Sequence, residues 1–154
     1  MFKVENYKHF APLIVRLGLG LVFLWFGFTQ LFNGDSFLGY LPDFATTIIP
    51  LAPLTIISLN GAFDVIFGFL LAIGLFTRFA AAIATLHLLI VALGLGYNDV
   101  AIRDLGLMLM TFSIFINGPD QWTVDVRILE KMKSSVKGAG GSLGDALGIK
   151  IKIK

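Results

Sequence analysis

Residues 58–78 read SLNGAFDVIFGFLLAIGLFTR. The run is so apolar that it belongs in lipid, yet Asp64 sits inside it. A carboxylate at membrane depth is costly and marks either a pairing or a function. The fold therefore follows from the apolar run, and the functional question follows from Asp64.

The rest of the chain agrees with a membrane setting. Of 154 residues, 56% are hydrophobic and only 14% are charged, against roughly 25% in an ordinary soluble domain. Mean hydropathy is +0.86. That leaves too little polar surface to coat a water-soluble globule, so the expectation is an integral membrane protein of one domain. The sequence holds no cysteine. Disulfides, thiol redox chemistry, cysteine-ligated zinc and iron–sulfur clusters within this chain are thereby excluded. The two histidines are His9 and His87. His9 precedes the first apolar segment, so it cannot join His87 as a second axial ligand to haem. No metal or haem is expected for the chain alone. There is no phosphate-cradling loop, no Ser-His-Asp order, and no basic–aromatic pattern for nucleic acid.

Four segments pass the length test of about 20 apolar residues for a helical span. They run over about 13–32, 54–76, 79–97 and 101–117 and predict an all-α four-helix membrane bundle over 13–118. Residues 1–12 form a mixed-charge arm. The apolar stretch after it is too long for a signal-peptide core, so the first helix is expected to be retained. NGDSFLGYLPDFATTIIPLAP, between the first two spans, is too long for a turn and too apolar for a free loop. Ser36 is expected to cap a short interfacial helix bearing Phe37, Leu38, Tyr40 and Leu41.

Of the 12 Lys and Arg residues, all but Arg103 fall in the N-terminal arm and the start of the first span, the second-to-third turn, or the C-terminal tail. This bias predicts cytoplasmic termini in a plasma-membrane protein. Residues 119–137 read as an amphipathic juxtamembrane segment with Trp122 as an interface anchor. Residues 138–154 read as a Gly-rich linker with a basic tail. Its IKIKIK end alternates with period 2 and suits either strand pairing with a partner or a disordered tail near anionic lipid.

Helical spacing gathers the polar residues into stripes. Arg16, Gly20, Phe23, Gly27 and Gln30 share a face of the first span. Asn60 and Asp64 are i, i+4 neighbours beside Gly61, Gly68 and Ala72 on the second. Ala80, Ala84, His87, Val91 and Gly94 share a face of the third, and Arg103, Gly106, Met110, Ser113 and Asn117 a face of the fourth. Small residues allow close helix approach, and polar ones avoid lipid by facing each other. At about 1.5 Å per residue, Asp64 lies roughly 16 Å and His87 roughly 15 Å from the outer ends of their helices. The expected partner of Asp64 is therefore His87, with Asn60 and Arg103 as helpers. Two readings of this group stand: a buried acid–base pair that binds a polar headgroup or moves protons, and a neutral hydrogen bond that fixes helix register. Arg16 is expected to snorkel to headgroups at the opposite end, near Arg78 and Asn117. The pair Arg103-Asp104 at the outer rim is read either as a local cap or loop anchor or as a substrate contact.

Four blocks carry a family resemblance: VRLGLGLVFLWFGFTQLF, FDVIFGFLLAIGLFTRFAA, IRDLGLM and NGPDQWTVD. Together they resemble the DoxX/DoxD-like membrane proteins over Val15–Asp125. That family usually shows Glu where Asp64 stands, and often Lys or His near Gln30. The resemblance implies a four-span fold and a redox setting, as small subunits of quinol oxidases or thiosulfate:quinone oxidoreductases. The fold also resembles the four-helix core of vitamin K epoxide reductase, whose chemistry needs the cysteines this chain lacks. The leading expectation is thus a subunit of a quinone-linked complex, with other membrane subunits and lipid as partners and quinone as the candidate ligand. Asp64 and His87 would handle protons, and Arg103, Asn60, Gln30 and Trp25 would contact the ligand, which a positive Arg103 also suits if it is an anionic sulfur compound. Arg16, Arg78 and Asp104 would serve structure or interface. The alternatives are a purely structural subunit, a homo-oligomer, or a small proton-coupled transporter.

Overall fold

Prolines and glycines set where the helices begin and end. The computed structural model describes residues 4–147, in which two 3₁₀ stretches, Val4–Phe10 and Gly34–Tyr40, accompany six α-helices. These are α1 (Ala11–Phe32), α2 (Asp43–Ile48), α3 (Pro53–Ile73), α4 (Thr77–Leu95), α5 (Asp99–Asn117) and α6 (Val124–Leu147). Pro12 and Pro53 stand in the first turns of α1 and α3, where their missing N–H costs nothing. α3 stops at Ile73, short of the expected Phe76, because Gly74 adopts φ 69. The Leu75 N–H then bonds the Leu70 carbonyl at 3.0 Å, a left-handed cap that closes the helix end. α5 starts where the Asn98 side chain accepts the Ala101 N–H at 2.8 Å.

Three helices, α1, α3 and α4, are long and apolar enough to cross a membrane among the described residues. α5 is as long as α4, but Asp99, Arg103 and Asp104 crowd its first two turns. Among the described residues there is no strand.

The helices associate in two pairs, α1 with α3 and α4 with α5, and contact between the pairs is sparser. Glycines make the first pair. A Cβ at Gly27 would lie 2.7 Å from the Gly61 carbonyl oxygen, and one at Gly20 would lie 2.9 Å from that of Gly68. The seven-residue spacing on each helix repeats the same backbone-on-backbone contact two turns apart. The second pair meets through alanines and through the Thr85 and Thr111 hydroxyls, 2.9 Å apart. Leu19, Phe23, Leu71, Ala80, Ala81, Ala84, Leu88 and Ile114 join the pairs into one core. That core lies toward the half of the bundle near the N-terminus, where a smaller cavity of about 280 Å³ opens beside Arg16 and Asp120. The other half, toward the loop 33–52, is hollow.

The first stripe is buried at every position: Arg16, Gly20, Phe23, Gly27 and Gln30. The stripe expected for α5 is not. Its inward residues are Ala101, Asp104, Thr111 and Ile114, while Gly106, Met110, Ser113 and Asn117 are exposed. The helix is turned by one residue because the shorter Asp104 points inward and Arg103 reaches the interior from the flank. Two further expectations change. Ser36 is no N-cap: it lies inside the 3₁₀ stretch and donates its hydroxyl to the Asn33 carbonyl at 2.8 Å. The Gly-rich stretch expected as a linker continues α6 as helix to Leu147. The IKIKIK end lies outside the described residues.

Candidate functional site

The hollow half encloses a cavity of about 550 Å³ between the two helix pairs. Its walls are mainly apolar, and the loop 33–52 closes over it with Phe37, Tyr40 and Phe44. Phe37 meets Phe26 edge-on at 6.5 Å, and Phe44 packs against Gly94, where any side chain would collide with its ring.

The helices α1, α3, α4 and α5 all deliver polar groups to this cavity. α1 brings Gln30, α3 brings Asn60 and Asp64, α4 brings His87, and α5 brings Arg103 and Asp104. Asp64 is 7% exposed, so its carboxylate depends on protein partners. Gln30 Nε2 donates to Asp64 Oδ2 at 2.9 Å, and Asn60 Nδ2 donates to the same oxygen at 3.3 Å. Asn60 also donates to Gln30 Oε1 at 2.8 Å, which orients the Gln30 amide toward the acid. The other carboxylate oxygen, Oδ1, faces His87 Nε2 at 3.6 Å. That is ion-pair range but too long for a hydrogen bond. The His87 ring lies on Phe63, centroids 4.2 Å apart, which fixes its plane.

The expected ranking of partners is therefore corrected. Gln30 rather than His87 is the direct partner of Asp64, and Arg103 is committed elsewhere. Arg103 pairs with Asp104 at 2.8 Å, and its guanidinium lies 4.4 Å from the centroid of Phe26. Asp104, expected at the rim, is 5% exposed and lines the cavity. A polar i, i+7 spacing from Asp104 to Thr111 was the available sign of that face. Trp25 is 72% exposed on the outside of α1, away from the cavity lining. At Gln30 a neutral amide bonds the carboxylate.

A second polar cluster stands at the opposite end. Arg16 does not reach out to headgroups. It is 2% exposed and pairs through Nε with Asp120 Oδ2 at 2.8 Å. Its Nη1 donates to the carbonyls of Leu71 and Ala72 at the end of α3, where the helix leaves orphan acceptors. Arg78 is exposed and packs its guanidinium against Gly118. Asp125 caps α4 from a distance, accepting the N–H groups of Phe76 and Thr77 at 2.8 and 2.7 Å. Sequence reading missed Asp120 and Asp125 as partners. The only signal was the placement of two acids in DQWTVD, between a Gly-Pro break and a new helix.

Chemically, the first cluster offers a carboxylate beside an imidazole, amide N–H donors, and a cation at the cavity wall. It can donate to carbonyl groups and exchange protons with a bound molecule. No group of three or more metal-ligating carboxylates and imidazoles occurs among the described residues. In comparison with known proteins, the DoxX family model matches residues 11–98, which takes in α1 to α4 and the cavity residues they supply. No curated protein and no solved structure matches the chain.

Proposed function

The chain belongs to the DoxX family, and from that premise we propose that it is a small membrane subunit of a quinone-linked oxidoreductase complex, with its ligand seated beside Asp64. The observation that carries this reading is the cavity: apolar walls that converge on Gln30, Asn60, Asp64 and His87. Small-molecule sites commonly combine such walls with a few placed polar groups. A quinone headgroup needs donors for two carbonyl oxygens, and its tail needs an apolar path to lipid. His87, Arg103 and the Gln30 amide are among the donors that line the cavity, whereas both amide hydrogens of Asn60 are spent on Gln30 and Asp64.

A bound quinone would supply two-electron carrier chemistry. Its reduction to quinol takes two electrons and two protons. The electrons would come from a haem- or flavin-bearing partner subunit. Asp64 and His87 would pass protons to the two ring oxygens and be replenished from water, or would run the same transfers in reverse. Arg103, held by Asp104 and Phe26, would contribute positive potential to the reduced, more basic oxygens.

The membrane arrangement belongs to the same proposal. The chain is a multi-pass membrane protein in contact with lipid. In this reading α5 is the fourth span, with its charged residues gathered near one end and turned toward the cavity or its rim. The termini then share one face, and the basic residues Lys8, Arg16, Arg78 and Arg127 on that side support a cytoplasmic placement for it. The loop 33–52 would rest at the outer interface as the cover of the site.

The test is ligand-induced stabilisation in lipid nanodiscs, titrating a short-chain benzoquinone and reading the thermal midpoint. Saturable stabilisation is expected, weakened at least tenfold in apparent affinity in His87→Ala. An unchanged midpoint, or equal stabilisation of both proteins, would remove quinone from the cavity and favour a purely structural subunit.

A further inference from the structure

Among the described residues α6 makes no extended contact with a helix of the bundle, yet its start is tightly tied. The Asp125 N–H bonds the Gly74 carbonyl at 3.1 Å while its carboxylate caps α4. Thr123 sits against Gly74 so closely that a Cβ there would fall 2.5 Å from its methyl group. The ring of Trp122 stacks on Phe10 at 5.9 Å. Tyr7, Phe76 and Trp122 are exposed at this same end of the bundle. Together these aromatic groups mark a level that suits a membrane–water interface. The tie therefore starts α6 at that level.

Beyond the tie the helix is two-faced. Val124, Ile128, Met132 and Val136 follow at four-residue spacing, with Leu129 beside them. At about 100° per residue they cover an arc of roughly 140°. Lys131 borders one edge of the arc and Lys133 the other, and Arg127 and Glu130 lie away from it. Within the arc Asp125 is taken up by the cap of α4, and Ser135 is its one other polar residue as far as Val136. Ile128, Leu129, Met132 and Val136 are exposed, by 47% to 69%.

We propose that α6 is a docking helix for the anionic lipid surface of the leaflet nearest the termini. Its apolar arc lies in the acyl–headgroup boundary. Lys131 and Lys133 extend from the two edges to lipid phosphates, their stems covering the border of the arc. A second copy of the helix fits less well, because the basic edges would face one another across the pair. The proposal is independent of what occupies the cavity.

The cysteine-free sequence allows a clean test. An environment-sensitive fluorophore is attached to Met132→Cys, on the apolar arc, and separately to Ser134→Cys, on the polar face. The full chain is placed in nanodiscs of phosphatidylcholine with or without phosphatidylglycerol, using brominated acyl chains as quenchers. The label at 132 is expected to emit at shorter wavelength and to be quenched several-fold more than the label at 134. The difference should grow with phosphatidylglycerol and shrink when Lys131 and Lys133 are both changed to Gln. A water-like label at 132 would overturn the proposal. So would quenching that ignores lipid charge, or a dry label that bromine does not reach, since the latter means that protein covers the arc.

Discussion

In the half of the bundle near the termini, Arg16 gives its hydrogen bonds to Asp120 and to two helix-end carbonyls, next to the main apolar core. In the half near the loop 33–52, Asp64 takes its bonds from two neutral amides, His87 stands back at 3.6 Å, and a cavity opens beside them. Both residues are charged types that lipid would reject. One is answered by an opposite charge and by helix-end carbonyls, beside a smaller cavity of about 280 Å³. The other is answered by donors that would also suit a ligand. The contrast separates a charge used to hold helices from a charge held ready, and the partners each receives make the difference.

The sharpest way to break that contrast is Arg16→Ala. The Asp120 carboxylate, with its side chain 6% exposed, would lose its cation, and two carbonyls would lose their donor. Stability should fall by about 3–5 kcal/mol, the range for removing one partner of a buried pair. Unfolding in detergent micelles reads this, and a fall below about 1 kcal/mol would mean that the pair is no anchor. Asp125→Ala should cost about 0.5–2 kcal/mol as a lost helix cap. Hydrogen exchange should speed up at the Phe76 and Thr77 amides while those of mid-α3 stay protected. Unchanged exchange at these two amides would show that the distant cap does not hold α4. The smallest effect is expected in the hollow half. Asp64→Asn keeps an oxygen able to accept from Gln30 and Asn60, so stability should change by no more than about 1 kcal/mol. A much larger loss would make Asp64 a second anchor and dissolve the comparison.

The sequence carried some of this more clearly than the rest. The inward stripe of α1 was legible because glycines and the polar residues Arg16 and Gln30 recur at one helical spacing, and both signals point the same way. α5 misled because its two candidate inward charges are adjacent, Arg103 and Asp104, and choosing between them turns the helix by about 100°. The helical continuation of α6 through a glycine-rich stretch was illegible from composition, since glycine disfavours a helix by only about 1 kcal/mol each. The pairing of Asp120 with Arg16 spans most of the chain, and no local pattern announces it.

Length and hydropathy are local properties, so the sequence by itself determined that the chain is helical, that it lies in a membrane, and that Asp64 and Arg16 require partners. It also determined that Asn60 and Asp64 share a face, because four residues bring a helix back to the same side. Which partners they receive was decided only by the tertiary structure. That choice depends on how far each helix is rotated and how deeply it is seated against the others. The glycine contacts between α1 and α3 set both quantities for Gln30 and Asp64. The looser seam between the helix pairs leaves the cavity and keeps His87 at a distance.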